Sequence, residues 1–318
     1  MASSLQKHKI PSMHMSVPSL PEWGRLIHKT ITAWLADYAP SMGAALSYYT
    51  VFSMAPTLLI VISVAGLLFG ADAVRGEIIG QLSYLMGPAA AATIQQVLAS
   101  MHQPSRGVSG TLIGVVLVLA GATSVFGELQ NSLDRIWRAQ ARESGGIFHL
   151  IRARLVSFGM ILGIAFLLIV SLVLSAAISA LGKWWAGAFG GWELLAQTVN
   201  ALVGFLITMG SFAAIYRLIP RVAIRWGDVW LGAALTSLLF TVGRLLIGIY
   251  IGKTGIASLF GAAGSLVIVF VWVYYSAQIF LLGAEFTRVY AQAFGSLREP
   301  GTAAASGEDP FAAPGREG

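Results

Sequence analysis

The stretch "LVIVFVWVYYSAQIFLLGAEFTRVYA", Leu266 to Ala291, decides the fold. Its first half is a continuous apolar run without period-two alternation, so it reads as a helix crossing a bilayer and not as a barrel strand. Yet it carries Gln278 in its middle and Glu285 near its end, with Arg288 one turn later. At 1.5 Å per residue, Glu285 lies about 32 Å along the helix from Gly264, which places it at one edge of the hydrocarbon.

The rest of the chain matches this beginning. Of its 318 residues, 56% are hydrophobic and only 11% are charged, where a soluble domain carries about 25% charged residues. The mean hydropathy is +0.75. Six segments are long and apolar enough to span a membrane: 42–70, 108–128, 155–181, 197–219, 229–250 and 264–287. The segment 1–18 has no apolar core of the kind a cleavable signal needs, and 295–318 is rich in Gly, Pro, Ala and charge. Both are expected to be disordered arms around one transmembrane domain at 19–294. The absence of Cys excludes structural disulfides, thiolate catalysis and thiolate metal sites.

The charges orient the spans. Fifteen of the 20 Lys and Arg residues fall in the N-terminal arm, the second and fourth connections and the C-terminal tail, and only four fall in the alternate connections. That asymmetry predicts cytoplasmic termini. It also accounts for the net charge of +6 as a topology signal, so nucleic acid is not an expected partner.

Two segments outside the spans are predicted to be helical. In "SLPEWGRLIHKTITAWLADYA", Ser19 and Glu22 stand at capping-box spacing and Pro21 at a first-turn position. Trp23, Leu26, Ile27, Ile31, Trp34, Leu35 and Tyr38 share one face and Arg25, His28 and Lys29 the other, which suits a helix lying on the cytoplasmic leaflet. The long connection 71–107 shows two helical repeats broken at Gly87–Pro88, an extracytoplasmic hairpin that caps the bundle or lies on lipid. The fold class is therefore all-α: a polytopic bundle of six transmembrane helices, both termini inside, with these two additions.

Packing candidates are the GxxxG pairs Gly66/Gly70, Gly110/Gly114, Gly159/Gly163 and Gly248/Gly252, where backbones can approach closely, either within one monomer or across a homo-oligomer seam. Pro56 is expected to kink the first span.

The polar groups inside the spans carry the functional reading. Arg244 lies about 23 Å in from Val229, in the outer half of the fifth span with no acid at its depth. It shares one face with Ala233, Ser237, Thr241 and Gly248, and either looks into the bundle, snorkels to lipid headgroups or bonds backbone carbonyls. In the last span Tyr274, Tyr275, Gln278 and Glu285 share a face. The first span contributes Ser47, Tyr48, Tyr49, Thr50 and Ser53. At the cytoplasmic edge Glu128, Asp37 and Glu285 lie level with Arg217, Arg135 and Arg288, as ion-pair clasps or as the rim of a solute pathway. Arg244, Ser237, Thr241, Gln278, Tyr275, Glu285, Glu128 and Arg217 are the candidate pathway residues.

No catalytic constellation is present. The five His residues lie outside the spans without HExxH spacing, GxSxG does not occur, and "GKTG" at 252–255 lacks the leading glycine spacing of a phosphate loop. No cofactor, metal site or enzymatic activity is expected.

Three motifs, "GAALSYYTVFSMAP" at 43–56, "SVFGELQNSLDRIW" at 124–137 and "GAAGSLVIVFVWVYYSAQIFLLGAEFTRVYA" at 261–291, resemble the YihY/BrkB family of bacterial inner-membrane proteins. The resemblance covers about 31–294 and implies six transmembrane helices with cytoplasmic termini. Family members carry the labels virulence factor BrkB, envelope integrity protein and ribonuclease BN. The residues support no nuclease. Together these readings give two main expectations, with ribonuclease or tRNA-processing activity, as in the older label, a remoter third. One is transport or sensing of a small or lipid-like solute through a polar cavity, in contact with membrane lipids. The other is a non-transporting scaffold for the envelope.

Overall fold

The computed structural model of the chain describes residues 20–101, 124–139, 192–222, 224–254 and 264–297. Every regular element among them is helical: α1 (Leu20–Ala36), α2 (Ala39–Phe69), α3 (Ala71–Met86) and α4 (Pro88–Met101); α5 over 124–136; then α6 (Trp192–Leu218), α7 (Trp226–Thr254) and α8 (Gly264–Ala293). Four helices contain stretches able to cross a membrane, at Ala39–Ser63, Ala201–Leu218, Trp226–Tyr250 and Leu266–Ala293. These correspond to four of the six expected spans. The span at 155–181 lies outside the described residues, as do most of 108–128 and the arms 1–18 and 298–318.

The helix built from the opening stretch is the axis of the bundle. α8 packs against α1, α2, α4 and α7, and α6 lies against α7. From Ile279 to Ala291 every residue of α8 is buried except Leu282, which is half-buried. A helix that is apolar all round needs cover on every side, from protein or from lipid, and here much of it comes from protein.

α1 lies against the C-terminal end of α8. Leu26 is fully buried among Phe286, Val289, Tyr290 and Ala293, and Trp23 stacks on Phe286 with centroids 6.3 Å apart. The other half of its apolar face, Ile27, Ile31, Leu35 and Tyr38, stays exposed. The chain turns into α2 through Asp37 and Tyr38. Tyr38 adopts a left-handed conformation (φ 58°), and Pro40 fits the first turn of α2, where its missing N–H costs nothing.

At the opposite end, α3 and α4 form the expected helical hairpin, turning at Gly87 with φ 88°. It packs on the bundle: Met86, Ala90, Ile94 and Leu98 are buried with Ile62 of α2 and Ile268, Val269 and Val273 of α8.

α2 remains helical through Pro56. Of the GxxxG glycines, Gly70 ends α2 at φ 87° and donates to the Gly66 carbonyl at 2.9 Å. A Cβ on Gly66 would meet Ala71, and one on Gly248 would meet nothing within 4 Å. Gly252 lies in the last turn of α7, while Gly110, Gly114, Gly159 and Gly163 lie outside the described residues. The tightest α7–α8 approach uses other glycines. The side chain of Thr287 fills the space beside Gly232, and those of Thr236 and Tyr216 fill the space beside Gly283. Each threonine also donates its hydroxyl to its own helix, Thr236 to the Gly232 carbonyl and Thr287 to the Gly283 carbonyl, both at 2.7 Å. Two Gly-x-x-x-Thr units thus interlock across the seam.

Candidate functional site

Arg244 sits on α7 about 27 Å from Trp226 along the helix axis. It is half-buried in a cleft between α7 and α8 walled by Phe240, Ile247, Trp272, Tyr275, Ser276 and Ile279. The cleft is a narrow crevice: about 160 Å³ of space including its open side, with no room in this conformation for a water-sized sphere. Tyr275 is drawn into this wall because Gly243 leaves room for its ring. The arrangement places one cation in an aromatic and aliphatic slot, with a phenol and a hydroxyl beside it.

The remaining polar residues expected around a cavity fall mostly into tight seams. Ser237 is fully buried, and Thr241 donates to the Ser237 carbonyl at 2.8 Å. Gln278 turns toward the start of α2, donating to the Pro40 carbonyl at 3.4 Å and filling the space beside Gly43. Tyr216 of α6 donates to the Phe280 carbonyl at 2.7 Å and lies 3.0 Å from the Thr236 hydroxyl. These bonds fasten α6, α7 and α8 together. Tyr216 and Gln278 thus bond between helices, whereas Thr241, Thr236 and Thr287 bond within their own helix.

The charged groups near the end of α8 behave differently. Glu285 is fully buried and accepts two bonds on Oε2 from Arg288, from Nε at 3.1 Å and Nη2 at 2.9 Å. Asp37, buried in the turn between α1 and α2, accepts an ion-pair contact on Oδ1 from Arg138 at 2.7 Å. The Asp37 turn packs against this part of α8, with Ala39 in one cluster with Leu281 and Ala284, which brings the Asp37 carboxyl close enough to act on that of Glu285. The oxygens left over, Asp37 Oδ2 and Glu285 Oε1, are buried and receive no donor among the described residues. Arg135 lies over the Tyr38 ring, 5.6 Å from its centroid. Asp37, Glu285 and Arg288 thus meet as their shared level suggested. Arg217 instead lies over Trp226 at 5.9 Å, and Glu128 is half-buried on α5.

Arg138 is the residue that sequence reasoning missed. It follows α5 with φ 51°, and the bonds Arg138 N–H to Arg135 carbonyl and Ala139 N–H to Asp134 carbonyl close a Schellman motif around it. Glycine is the usual residue there, so the strain accompanies an arginine that reaches Asp37. The two left-handed non-glycine residues among the described residues, Tyr38 and Arg138, flank the same ion pair. One turn back on α5, Asp134 accepts the Arg221 N–H at 2.8 Å and pairs with its guanidinium at 3.5 Å. Burial pushes the Asp134 carboxyl above its ordinary range, opposed by Arg221.

The sequence profile of the family described as Virulence factor BrkB matches residues 30–308. Among curated proteins, the chain is 29% identical over 182 residues to a UPF0761 membrane protein of Tolumonas auensis, covering 56% of each. It is 26% identical over 264 residues to one of Pseudomonas aeruginosa, covering 81% of this chain and 60% of that protein. It is 26% identical over 274 residues to one of Azotobacter vinelandii, covering 85% and 63%. The chain thus spans less than two thirds of the length of these relatives. No solved structure matches it. The matched span, the three motifs and the membrane-length helices agree: the chain is an integral membrane protein and belongs to the virulence factor BrkB family.

Proposed function

We propose that the chain is a six-span protein of the bacterial inner membrane, with both termini in the cytoplasm, that moves or senses a small amphiphilic anion. The observation that carries this reading is the Arg244 cleft. A guanidinium well inside a membrane-length helix is costly, and such groups face a solvated path or a ligand by default. Here it is flanked by Trp272, Phe240 and Ile279, which offer apolar surface to a tail, and by Tyr275 and Ser276, which offer hydrogen bonds to a head group.

The test uses a fluorescent medium-chain carboxylate with protein reconstituted in lipid vesicles. Binding and vesicle uptake are expected for the native chain. Arg244→Leu is expected to lose both with little change in folded yield, and Arg244→Lys to keep part of the binding. If Arg244→Leu binds and takes up the probe as well as the native chain, the reading is wrong. Full tolerance at Arg244 combined with loss of function on changing the α3–α4 hairpin would favour the non-transporting scaffold. That alternative draws on the hairpin's buried seam with α2 and α8.

A further inference from the structure

The buried charges at the far end of α8 from the hairpin are more than a structural clasp. Asp37 and Glu285 are 97% and 100% buried by side chain. Each has one oxygen saturated by an arginine, Arg138 on Asp37 Oδ1 and Arg288 on Glu285 Oε2. Each has one oxygen without a donor among the described residues, and these belong to carboxyl groups close enough to act on each other.

Two ionised carboxylates are acceptors only and cannot satisfy one another, whereas a protonated carboxyl gains an O–H donor. A buried acceptor left without a donor keeps its full desolvation penalty, and two adjacent buried negative charges add repulsion to it. One proton removes both penalties. It converts the contact into an O–H···O⁻ hydrogen bond, a strong type.

We propose that Asp37 and Glu285 form a proton-binding site. A single proton resides on Glu285 Oε1 and is donated to Asp37 Oδ2, and its release to solvent leaves two facing carboxylates. The charges acting on the pair are Arg288 from α8 and Arg138 from the end of α5, with Arg135 held away over the Tyr38 ring. Protonation state is thereby linked to the packing of α8, the α1–α2 turn and α5 around one point. The site is about 15 Å along α8 from Tyr275 of the Arg244 cleft, and it stands independently of what that cleft binds.

The experiment is infrared difference spectroscopy on the full chain in lipid nanodiscs, read at the carbonyl stretch of protonated carboxylic acids. The native protein is expected to show this band at neutral pH and to lose it on alkalinisation. Glu285→Gln should remove the band while keeping the neutral-pH unfolding temperature, because the Gln amide N–H takes the place of the O–H. Asp134→Asn, which removes a second carboxyl held above its ordinary range, should leave the band in place. The native protein answers first: no band at neutral pH overturns the proposal without any variant. It is equally overturned if the band survives in Glu285→Gln, or if added sodium shifts the unfolding temperature of the native chain but not of Glu285→Gln, which would make the occupant a metal cation.

Discussion

Arg138 takes the C′ position of a helix-ending motif in a conformation that favours glycine, and it uses that position to reach a buried acid. Arg288 reaches its acid from within the same helix, three residues on. The two arginines should therefore differ in cost when removed. Arg288 is 90% buried and holds a fully buried carboxyl, so Arg288→Met should destabilise by about 3 kcal/mol. This is the lower end of the range for breaking a buried pair, as expected if the acids carry one negative charge between them. Arg138 is 57% exposed, and Arg138→Gly regains about 1 kcal/mol of backbone strain. Its net loss should be under half that of Arg288→Met. Thermal unfolding of both variants in one detergent checks the order, and equal losses would contradict it. Asp37 was visible in the sequence as an acid among apolar residues in "WLADYAP". Its partner was not, because Arg138 joins it only through the left-handed turn at the end of α5.

The α7–α8 seam shows what a helix pair in a membrane protein needs. Lipid is as apolar as leucine, so association relies on close backbone approach and on polar groups that bond locally. Gly232 with Thr236 and Gly283 with Thr287 supply both, in antiparallel register. The repeated spacing in "GAALT" and "GAEFT" was present in the sequence. Spacing alone does not reveal which faces meet, and GxxxG pairs such as Gly248/Gly252 look equally suited to close approach. At Gly283 a Cβ would collide with the Thr236 side chain and approach the Tyr216 hydroxyl within 2.6 Å. Gly283→Ala should therefore destabilise by about 1–3 kcal/mol through overpacking. Gly248→Ala, with open space around it, should be neutral or should stabilise by up to about 1 kcal/mol through helix propensity. Equal unfolding temperatures for the two variants would contradict a close-packed seam at Gly283.

At the scale of the whole molecule, hydropathy found the membrane-length helices because an apolar run of 20 residues has few other uses. It could not find which helix is central, since a lipid-facing surface and a buried one are equally apolar. α8 emerged as the axis only from its burial among α1, α2, α4 and α7. The division of α1 was hidden for the same reason: Leu26 and Ile31 look alike in sequence, yet one is buried and the other exposed. The packing does fix which elements share an end. Leu26 of α1 lies with Ala293 at the end of α8, whereas the α3–α4 hairpin packs around Ile268 at its start. The chain has no Cys, so single cysteines can report sides without background. Arg25, Gln81 and Gln292 are all exposed. A membrane-impermeant maleimide added to intact spheroplasts should label Gln81→Cys and leave Arg25→Cys and Gln292→Cys unlabelled; inverted vesicles should reverse the pattern. Labelling of Arg25→Cys from outside would overturn the cytoplasmic N-terminus. Arg25→Cys and Gln292→Cys reacting from opposite sides would go further, because it would contradict the docking of α1 on the end of α8 and with it the meeting of Asp37 and Glu285.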